Sequence, residues 1–177
     1  PAEELAALVT FLLEELPFVP EPEITIEANP HSLTSEGAKI LSRAGVNRVS
    51  LGVQAFQNSL LRAIGRLHLA EHAEESVLSL RRAGITNVNL DLMFGLPGQS
   101  MREWVETLEW AVALGPSHFS CYGLMLEAAT PLARWFEAGL VDLPSDDVQA
   151  DMYDAACSFL KGAGYDHYEI SNFCKPG

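Results

Sequence analysis

The stretch NVNLDLMF, residues 87–94, alternates polar and apolar side chains. Asn89 and Asp91 interleave with valine and leucine residues, which predicts a β-strand, because successive side chains of a strand point to opposite faces of the sheet. One face of this strand is therefore apolar, whereas the other carries groups that need hydrogen-bond partners. Such a face is not expected in an ordinary apolar core.

Three other stretches of the chain repeat this alternation. They are ITIEAN (24–29), RVSLGVQ (48–54) and HFSCYGLML (118–126). Each is followed by a helix-like segment, so we expect a parallel sheet that is covered by helices on its outside. In a closed (β/α) barrel the inward residues are mostly Val, Ile and Leu. Here they are Glu, Gln, Asp, Asn and Ser, which indicates a sheet built around a ligand.

Helical segments separate the predicted strands, and four of these helices end at a glycine. Helices are expected at about residues 2–16, 70–83, 101–114 and 145–162, with a further one that runs through Ile40 and Leu41. The glycines that close these helices precede the next strand by only a few residues, as in repeated β/α units. These glycines are Gly45, Gly84, Gly115 and Gly164.

The last part of the chain predicts a fifth strand. HYEISNF (167–173) continues the polar alternation through His167, Glu169 and Ser171, and the connection through Pro131 and Pro144 is expected to be extended. Five strands are too few for an eight-stranded barrel, which typically takes ~250 residues. The expected fold class is therefore α/β, as an open arc or part of a barrel.

Composition excludes several classes of function. The chain has 177 residues, is 48% hydrophobic and carries a net charge of −13, with 11 basic against 24 acidic residues. Such a chain can bury a core as one domain, but it would repel a phosphate backbone, so we expect no nucleic-acid partner. The apolar run at 5–13 is much shorter than the ~20 residues that cross a bilayer. Because the chain opens with Pro1, it is expected to be a piece of a longer protein.

The cysteines predict a reduced, cytoplasmic setting. Cys121, Cys157 and Cys174 lie far apart, without the spacing of a disulfide framework or of a metal site. We therefore predict no metal site within this chain. Cys121 and Cys157 are expected to be packing residues, and no function is assigned to Cys174.

Polar residues at the ends of the strands form the candidate site. Glu27, Gln54 and Asp91 sit at or near the carboxyl ends, where parallel α/β folds bind ligands. Two carboxylates and an amide suit an ammonium group, hydroxyls or a cation, and the alternative is an internal polar network. Arg66 follows the second strand and could bind a carboxylate, although an arginine in such a loop is, taken alone, more often a surface residue. The turn GLPGQS (95–100) leads into a helix and could hold an anion or simply be a tight turn.

The histidines suggest one further alternative. HLAEH (68–72) matches the H-x-x-E-H string of certain zinc peptidases, which would make the chain a zinc-dependent hydrolase built on His68 and His72. Because the helix is predicted to begin near Ala70, His68 would lie outside it, which disfavours this alternative. His118 and His167 start their strands and are expected to be structural.

Six stretches in sequence order carry a resemblance to a known family. They are ITIEANP (24–30), GVNRVSLGVQAF (45–56), AIGRLH (63–68), NVNLDLMFGLPGQS (87–100), HFSCYGLMLEAATPL (118–132) and HYEISNFCKPG (167–177). Together they resemble the radical S-adenosylmethionine (SAM) proteins of the oxygen-independent coproporphyrinogen III oxidase family. The resemblance implies a partial (β/α)6 barrel, similar to a TIM barrel, whose lumen holds SAM against a [4Fe–4S] cluster.

The resemblance also implies a set of cofactor-binding residues. Glu27, Gln54, Arg66 and Asp91 match positions that bind SAM, and Met125 matches a weaker backbone-type contact. The carboxylates are expected to hold amino or ribose groups, and Arg66 the methionine carboxylate. No residue of this chain is expected to be catalytic.

The family's cluster-binding CxxxCxxC loop is absent from the chain. Residues 1–177 are therefore expected to form the central and C-terminal part of one partial barrel, with the cluster segment and a C-terminal accessory domain outside them. The chain alone should neither hold the cluster nor cleave SAM.

Two branches of the family compete for this sequence. GRLH (65–68) and YEISNFCKPG (168–177) resemble the heme-chaperone branch, whose members bind heme and deliver it to respiratory proteins. The alternative branch comprises the oxidases, which decarboxylate coproporphyrinogen III to protoporphyrinogen IX and usually carry N-R-x-Q at the first of these places. The resemblance favours the chaperone branch, with heme or porphyrin as a ligand of the whole protein.

Overall fold

Four parallel strands form the centre of a six-stranded sheet. The computed structural model describes residues 1–176, and its parallel strands are β1 (Thr25–Ala28), β2 (Arg48–Gln54), β3 (Asn87–Phe94) and β4 (His118–Gly123). Two short antiparallel strands follow, β5 (Asp166–His167) and β6 (Asn172–Cys174), and the spatial order is β1-β2-β3-β4-β6-β5. Within the described residues, β1 pairs only with β2, so the sheet is open.

The described residues contain seven helices, of which the first precedes the first strand and the others lie between strands. They are α1 (Ala2–Glu15), α2 (Ser35–Arg43), α3 (Asn58–Ala63), α4 (Ala70–Arg82), α5 (Met101–Ala113), α6 (Pro131–Glu137) and α7 (Asp146–Gly162), with a 3-10 turn at Pro30–Ser32. The predicted closing glycines have positive φ, for example 105° at Gly45 and 90° at Gly84. None of the helices within residues 1–176 has the length and apolar character needed to cross a bilayer.

The apolar face of the sheet packs against the helices. Leu51, Leu90 and Phe119 on neighbouring strands are completely buried in the core between the two layers. Trp104 of α5 is also fully buried and donates its Nε1–H to the Met152 carbonyl of α7 over 2.7 Å. This bond ties the two helices together and satisfies the one polar atom of the indole ring.

The polar face carries two continuous rows of side chains across the strands. The register pairs Glu27 with Ser50, Ser50 with Asn89, and Asn89 with His118. The second row, one step towards the carboxyl ends, is Gly52, Asp91, Ser120 and Asn172. The polar alternation predicted from the sequence is therefore confirmed on all four parallel strands.

The predicted fifth strand is wrong in extent. Instead of one strand over 167–173, the short strands β5 and β6 form a hairpin, in which β6 pairs antiparallel with β4. Glu169 explains the break, because its carboxylate accepts hydrogen bonds from the Ser171 backbone N–H and from the Asn172 side chain within the turn. His167 stacks on Phe173, with ring centroids 4.4 Å apart, rather than on a parallel neighbour. Gly177, the last residue of the 167–177 motif, lies outside the described residues.

The connection after β4 is also not fully extended. Helix α6 begins at Pro131, and the Thr130 hydroxyl accepts a hydrogen bond from the Ala133 N–H. Threonine at the N-cap followed by proline at the first helical position is a helix-start signal that the sequence contained.

Candidate functional site

One cavity brings together four of the five predicted site residues. Glu27, Gln54, Arg66 and Asp91 line a cavity of about 370 Å³ on the polar side of the sheet. They come from β1, the end of β2, the loop after α3, and β3. The parallel register explains the convergence, because the carboxyl ends of neighbouring strands meet at one edge of the sheet.

Gln54 reaches the cavity through an unusual backbone conformation. It is the last residue of β2, its φ is 69°, and the pairing with β3 shifts register between Gly52 and Gln54. Positive φ is uncommon for residues other than glycine and marks a position that the surroundings impose. The Gln54 side chain is 5% exposed, so its amide is fixed at the cavity wall.

Gly52 leaves room for these side chains. A Cβ atom built at Gly52 would lie 3.1 Å from Gln54 Nε2 and 3.5 Å from Asn29 Oδ1. Asn29 in turn accepts a hydrogen bond of 2.8 Å from Arg66 Nη1. The missing side chain at residue 52 therefore opens the cavity floor between an amide and a guanidinium group.

Arg66 has no carboxylate partner among the described residues. Two ion pairs are found there, Lys39–Glu36 on α2 and Arg102–Glu106 on α5. Both lie on the surface, and each joins neighbouring turns of its own helix. The Arg66 guanidinium is half-buried and is held in place by Asn29. Its remaining N–H donors are available to a carboxylate, which a guanidinium binds in bidentate fashion.

Asp91 is held by hydrogen bonds from the sheet. Its Oδ2 accepts from the Ser50 hydroxyl over 2.8 Å, and its Oδ1 accepts from Asn89 Nδ2 over 2.7 Å. Burial raises the pKa of the Asp91 carboxyl, the hydrogen bonds from Ser50, Asn89 and Ser120 oppose that rise, and the Glu27 charge adds to it. Two carboxylates that repel each other across a cavity favour a cationic or hydroxyl-bearing ligand.

Met125 lies apart from the other four residues. It follows the end of β4, its side chain is 79% exposed, and it is not among the residues that line the cavity. A backbone contact at this position stays a prediction.

Three cavity residues were recognised in the sequence only as part of the alternation. Asn29, Ser50 and Gly52 line the cavity with the predicted four, and Asn29 makes the direct contact with Arg66. The sequence did contain a signal for them, because the alternation along the strands places all three on the same face as Glu27 or Gln54.

The side chains of the other sequence motifs make hydrogen bonds with nearby backbone groups. His68 lies before α4, as predicted, is 2% exposed and bonds the Val53 carbonyl through Nε2 over 3.0 Å. His72 Nδ1 accepts from the Leu69 N–H over 3.0 Å. The GLPGQS turn presents its helix N-terminus to Glu103, which forms a capping box with Ser100. These contacts disfavour both the zinc site and an anion site at that turn.

The cysteines do not form a cluster. Cys121 is buried, whereas Cys157 and Cys174 are partly exposed. Residues 1–176 contain no group of three or more His, Cys, Asp or Glu side chains arranged to hold a metal ion. Burial raises the pKa of the Cys121 thiol well above its usual range, consistent with the packing role predicted for it.

An open parallel α/β barrel with a polar inner face defines the class of this protein. The chain belongs to the radical SAM superfamily, whose family model matches residues 2–111. The resemblance and the partial TIM-like barrel predicted from the sequence are thereby confirmed.

Curated relatives place the chain near one branch. It is 42% identical over 176 residues to the heme chaperone HemW of Lactococcus lactis, covering 99% of this chain and 46% of that protein. It is 41% identical over 155 residues to the HemW of Bacillus subtilis, covering 88% of this chain and 41% of that protein. The chain thus spans less than half the length of these relatives.

A solved structure supports the fold. The coproporphyrinogen III oxidase HemN from Escherichia coli, described as a radical SAM enzyme, superimposes with a TM-score of 0.85 at 27% sequence identity. The match covers 99% of this chain and 40% of that one. The similarity therefore extends through the β5–β6 hairpin, beyond the residues that the superfamily model matches.

Proposed function

We propose that residues 1–177 form the SAM-binding central part of a heme chaperone of the HemW type. The observation that carries the first half of this proposal is the convergence of Glu27, Gln54, Arg66 and Asp91 on one cavity. Its volume of about 370 Å³ is within the ~300–1,000 Å³ typical of small-molecule sites.

Several chemical groups of SAM have a suitable partner among the residues that line the cavity. SAM carries a carboxylate, an ammonium group, a sulfonium ion and ribose hydroxyls. Arg66, which has no carboxylate partner within residues 1–176, suits the methionine carboxylate. Glu27 and Asp91 suit the cationic groups or the ribose hydroxyls, and the open floor at Gly52 admits a ligand close to the backbone. When bound, SAM together with a [4Fe–4S] cluster supplies radical chemistry.

The residues of this chain would bind and orient SAM rather than hold the cluster. Asp91 keeps unshared lone pairs after accepting from Ser50 and Asn89, so it can accept from a ligand hydroxyl or ammonium group. We assign the cluster ligands to a segment of the longer protein outside this chain, and an accessory domain to the region after it.

The second half of the proposal rests on the relatives. Five relatives that are 37–42% identical over at least 88% of this chain are named heme chaperones. By this similarity the whole protein would bind heme in the cytoplasm and deliver it to a respiratory protein.

The alternative is an oxygen-independent coproporphyrinogen III oxidase. It is favoured by the TM-score of 0.85 with the Escherichia coli oxidase, although the identity there is 27%. The two functions share the SAM site and differ in what the whole protein does with a tetrapyrrole. The GRLH sequence (65–68), which contains Arg66, favours the chaperone.

Anaerobic turnover with the cluster-reconstituted full-length protein separates the two. The assay contains coproporphyrinogen III, SAM and a reductant, with an active oxidase run in parallel, and the same preparation is titrated with heme and followed by its Soret absorbance. We expect heme binding and no protoporphyrinogen. Formation of protoporphyrinogen would establish the oxidase, and absence of both activities would refute the proposal.

The SAM site is tested separately. The Arg66→Met variant keeps the length of the side chain without its charge and is expected to weaken SAM binding about 10- to 100-fold. Arg62→Met, an exposed arginine on α3, is the matched control. Equal SAM affinity in the two variants would exclude Arg66 from the site.

A further inference from the structure

A chain of hydrogen bonds on the polar face runs from Asp91 to the β5–β6 hairpin. Asn89 Nδ2 lies 2.7 Å from Asp91 Oδ1, and Asn89 Oδ1 lies 2.5 Å from His118 Nδ1. His118 Nε2 lies 2.6 Å from the Tyr168 hydroxyl. These residues come from β3, β4 and the hairpin, so this series of hydrogen bonds forms only in the folded protein.

The donors in this series of hydrogen bonds follow from the charge of Asp91. Three acceptors lie near Asn89 Nδ2, namely Asp91 Oδ1, Ser50 Oγ and Ser120 Oγ, and the 3.1 Å contact with Ser120 is the longest of the three. An ionised Asp91 only accepts, so its neighbour Asn89 must present the Nδ2 donor to it and not the carbonyl oxygen. The second Nδ2 hydrogen goes to Ser50 Oγ over 2.7 Å, since the Ser50 hydroxyl already donates to Asp91 Oδ2. Asn89 Oδ1 is therefore the acceptor that faces His118.

The orientation of Asn89 fixes the tautomer of His118. Because Asn89 Oδ1 accepts, His118 must carry its proton on Nδ1, which leaves Nε2 to accept from the Tyr168 O–H. Burial, followed by the nearby Arg48 charge, lowers the pKa of His118, so the neutral ring that this assignment requires is favoured. All four hydrogen-bonding positions of the Asn89 amide are then used, since Ser120 Oγ also donates to Oδ1 over 3.3 Å.

We propose that His118 is a positioning residue for the Asp91 carboxylate of the SAM site. The Nδ1–H of His118 holds the Asn89 amide in the orientation that donates to Asp91, and this hydrogen bond stabilises the ionised carboxylate. His118 does not touch the ligand; it acts through Asn89. This inference rests on the proposed binding of SAM at Asp91.

The removal of the Nδ1–H donor has a defined consequence. Without it, one acceptor position on Asn89 Oδ1 loses its protein donor, and the amide is held less firmly in the orientation that donates to Asp91. A carboxylate that receives a weaker hydrogen bond is less stable in its ionised form, so its pKa rises. SAM binding then requires a higher pH, because the protonated carboxyl no longer attracts the cationic groups of the ligand.

Other charged and titratable groups line the polar face around Asp91. They are Glu27 on β1, Arg48 on β2, Arg66 in the loop after α3, His118 and Tyr122 on β4, and Tyr168 in the hairpin. His118 is itself titratable, and burial lowers its pKa, so a variant that keeps a donor but cannot titrate is needed as a control.

Two substitutions of His118 separate positioning from titration. His118→Asn keeps a donor, because Asn Nδ2 occupies the place of His Nδ1, whereas His118→Ala removes it; neither titrates. Affinity for SAM is measured by anaerobic equilibrium dialysis of the cluster-reconstituted full-length protein between about pH 4 and 8, so that the window begins near the pKa of a free aspartate. We expect the midpoint of the pH dependence to rise by about one pH unit in His118→Ala and to stay unchanged in His118→Asn.

A variant elsewhere controls for loss of stability. Tyr165→Phe removes a buried hydrogen bond of 2.8 Å to the Pro116 carbonyl, away from the cavity, and should leave the midpoint unchanged. The Asp91 carboxyl is also followed directly by its ¹³C chemical shift during a pH titration without ligand. A raised Asp91 pKa in His118→Ala alone supports the inference.

The outcomes for the two proposals are distinct. Failure of the wild-type protein to bind SAM at any pH refutes the proposed cofactor site, and the carbon titration still decides the role of His118. Identical titration of Asp91 in wild type, His118→Ala and His118→Asn overturns the inference, whatever the SAM affinity.

Discussion

At the scale of single residues, the Asp91 carboxyl of the proposed SAM site carries a cost in stability. Its carboxyl is partly buried beside Glu27, and burial raises its pKa despite three hydrogen bonds that oppose the rise. A group whose pKa is raised on folding stabilises the fold fully below the pKa of the unfolded chain and loses that contribution as the pH rises through the folded pKa. Ionised Asp91 therefore weakens the fold at neutral pH.

The Asp91→Asn variant is expected to be more stable than wild type at pH 7 and unable to bind SAM normally. An increase in melting temperature of about 2 °C is expected, because the buried charge is removed. The difference should disappear as the pH falls below ~3.9, where the unfolded carboxyl is protonated. Thermal unfolding followed by circular dichroism at several pH values measures it.

The control for this prediction is Glu74→Gln, an exposed position on α4. It removes the same negative charge from an acidic chain without altering a buried group. Equal changes in melting temperature for the two variants at every pH would show that net charge, and not burial, determines the effect.

The sequence predicted some of the site residues but not their geometry. Glu27, Gln54 and Asp91 follow from strand alternation alone, since parity places them on one face. Arg66 needed the family resemblance, because nothing in a loop sequence says where its side chain ends. The positive φ of Gln54 and the Asn89–His118 contact depend on register between strands, which local patterns do not contain.

At the scale of secondary-structure elements, α5 and α7 are joined by a single polar contact within an apolar interface. Trp104 of α5 packs on Phe94 with ring centroids 5.6 Å apart and donates to the Met152 carbonyl. The indole thus supplies both volume and the one hydrogen bond that its buried N–H requires.

The Trp104→Phe variant is expected to lose about 2–4 kcal/mol of unfolding free energy, from the cavity and the lost hydrogen bond together. Urea unfolding measures this change. Trp110→Phe is the matched control, because Trp110 is 62% exposed and stacks only on Phe56. We expect the control to change stability by about 0.5 kcal/mol or less, and equal losses in both variants would contradict the role assigned to Trp104.

The two elements that the sequence predicted incorrectly have different physical causes. In HYEISNF (167–173), polar residues alternate as in a strand, yet Glu169 pairs with Ser171 and Asn172 inside a turn. Alternation predicts a strand only when the polar groups have partners across the sheet, and here the partners are local. Helix α6 was missed because two prolines were interpreted as breakers, although Pro131 stands where a helix tolerates proline.

At the scale of the whole molecule, repulsion between like charges opposes folding. The chain carries a net charge of −13, and the two ion pairs within its described part lie on the surface. The parallel barrel arc itself was predictable, since four strand–helix repeats leave few other topologies. The openness of the sheet followed from the number of strands.

The free energy of unfolding of this chain is expected to rise with salt. Between about 0.02 and 0.5 M NaCl the Debye length falls from roughly 20 to 4 Å, which screens the repulsion. The urea midpoint should increase and then level off near 0.5 M. A midpoint that stays constant, or falls, over this range would show that self-repulsion does not limit stability.

The free side of β1 has a consequence for how the chain behaves in solution. Within the described residues β1 pairs only with β2, so Thr25–Ala28 presents backbone N–H and C=O groups along its other side. A sheet margin of this kind can accept a strand from a second molecule, and a single glutamate on β1 is a weak deterrent. Self-association that increases with concentration, measurable by sedimentation velocity, is therefore the expected behaviour of this chain when it is handled alone.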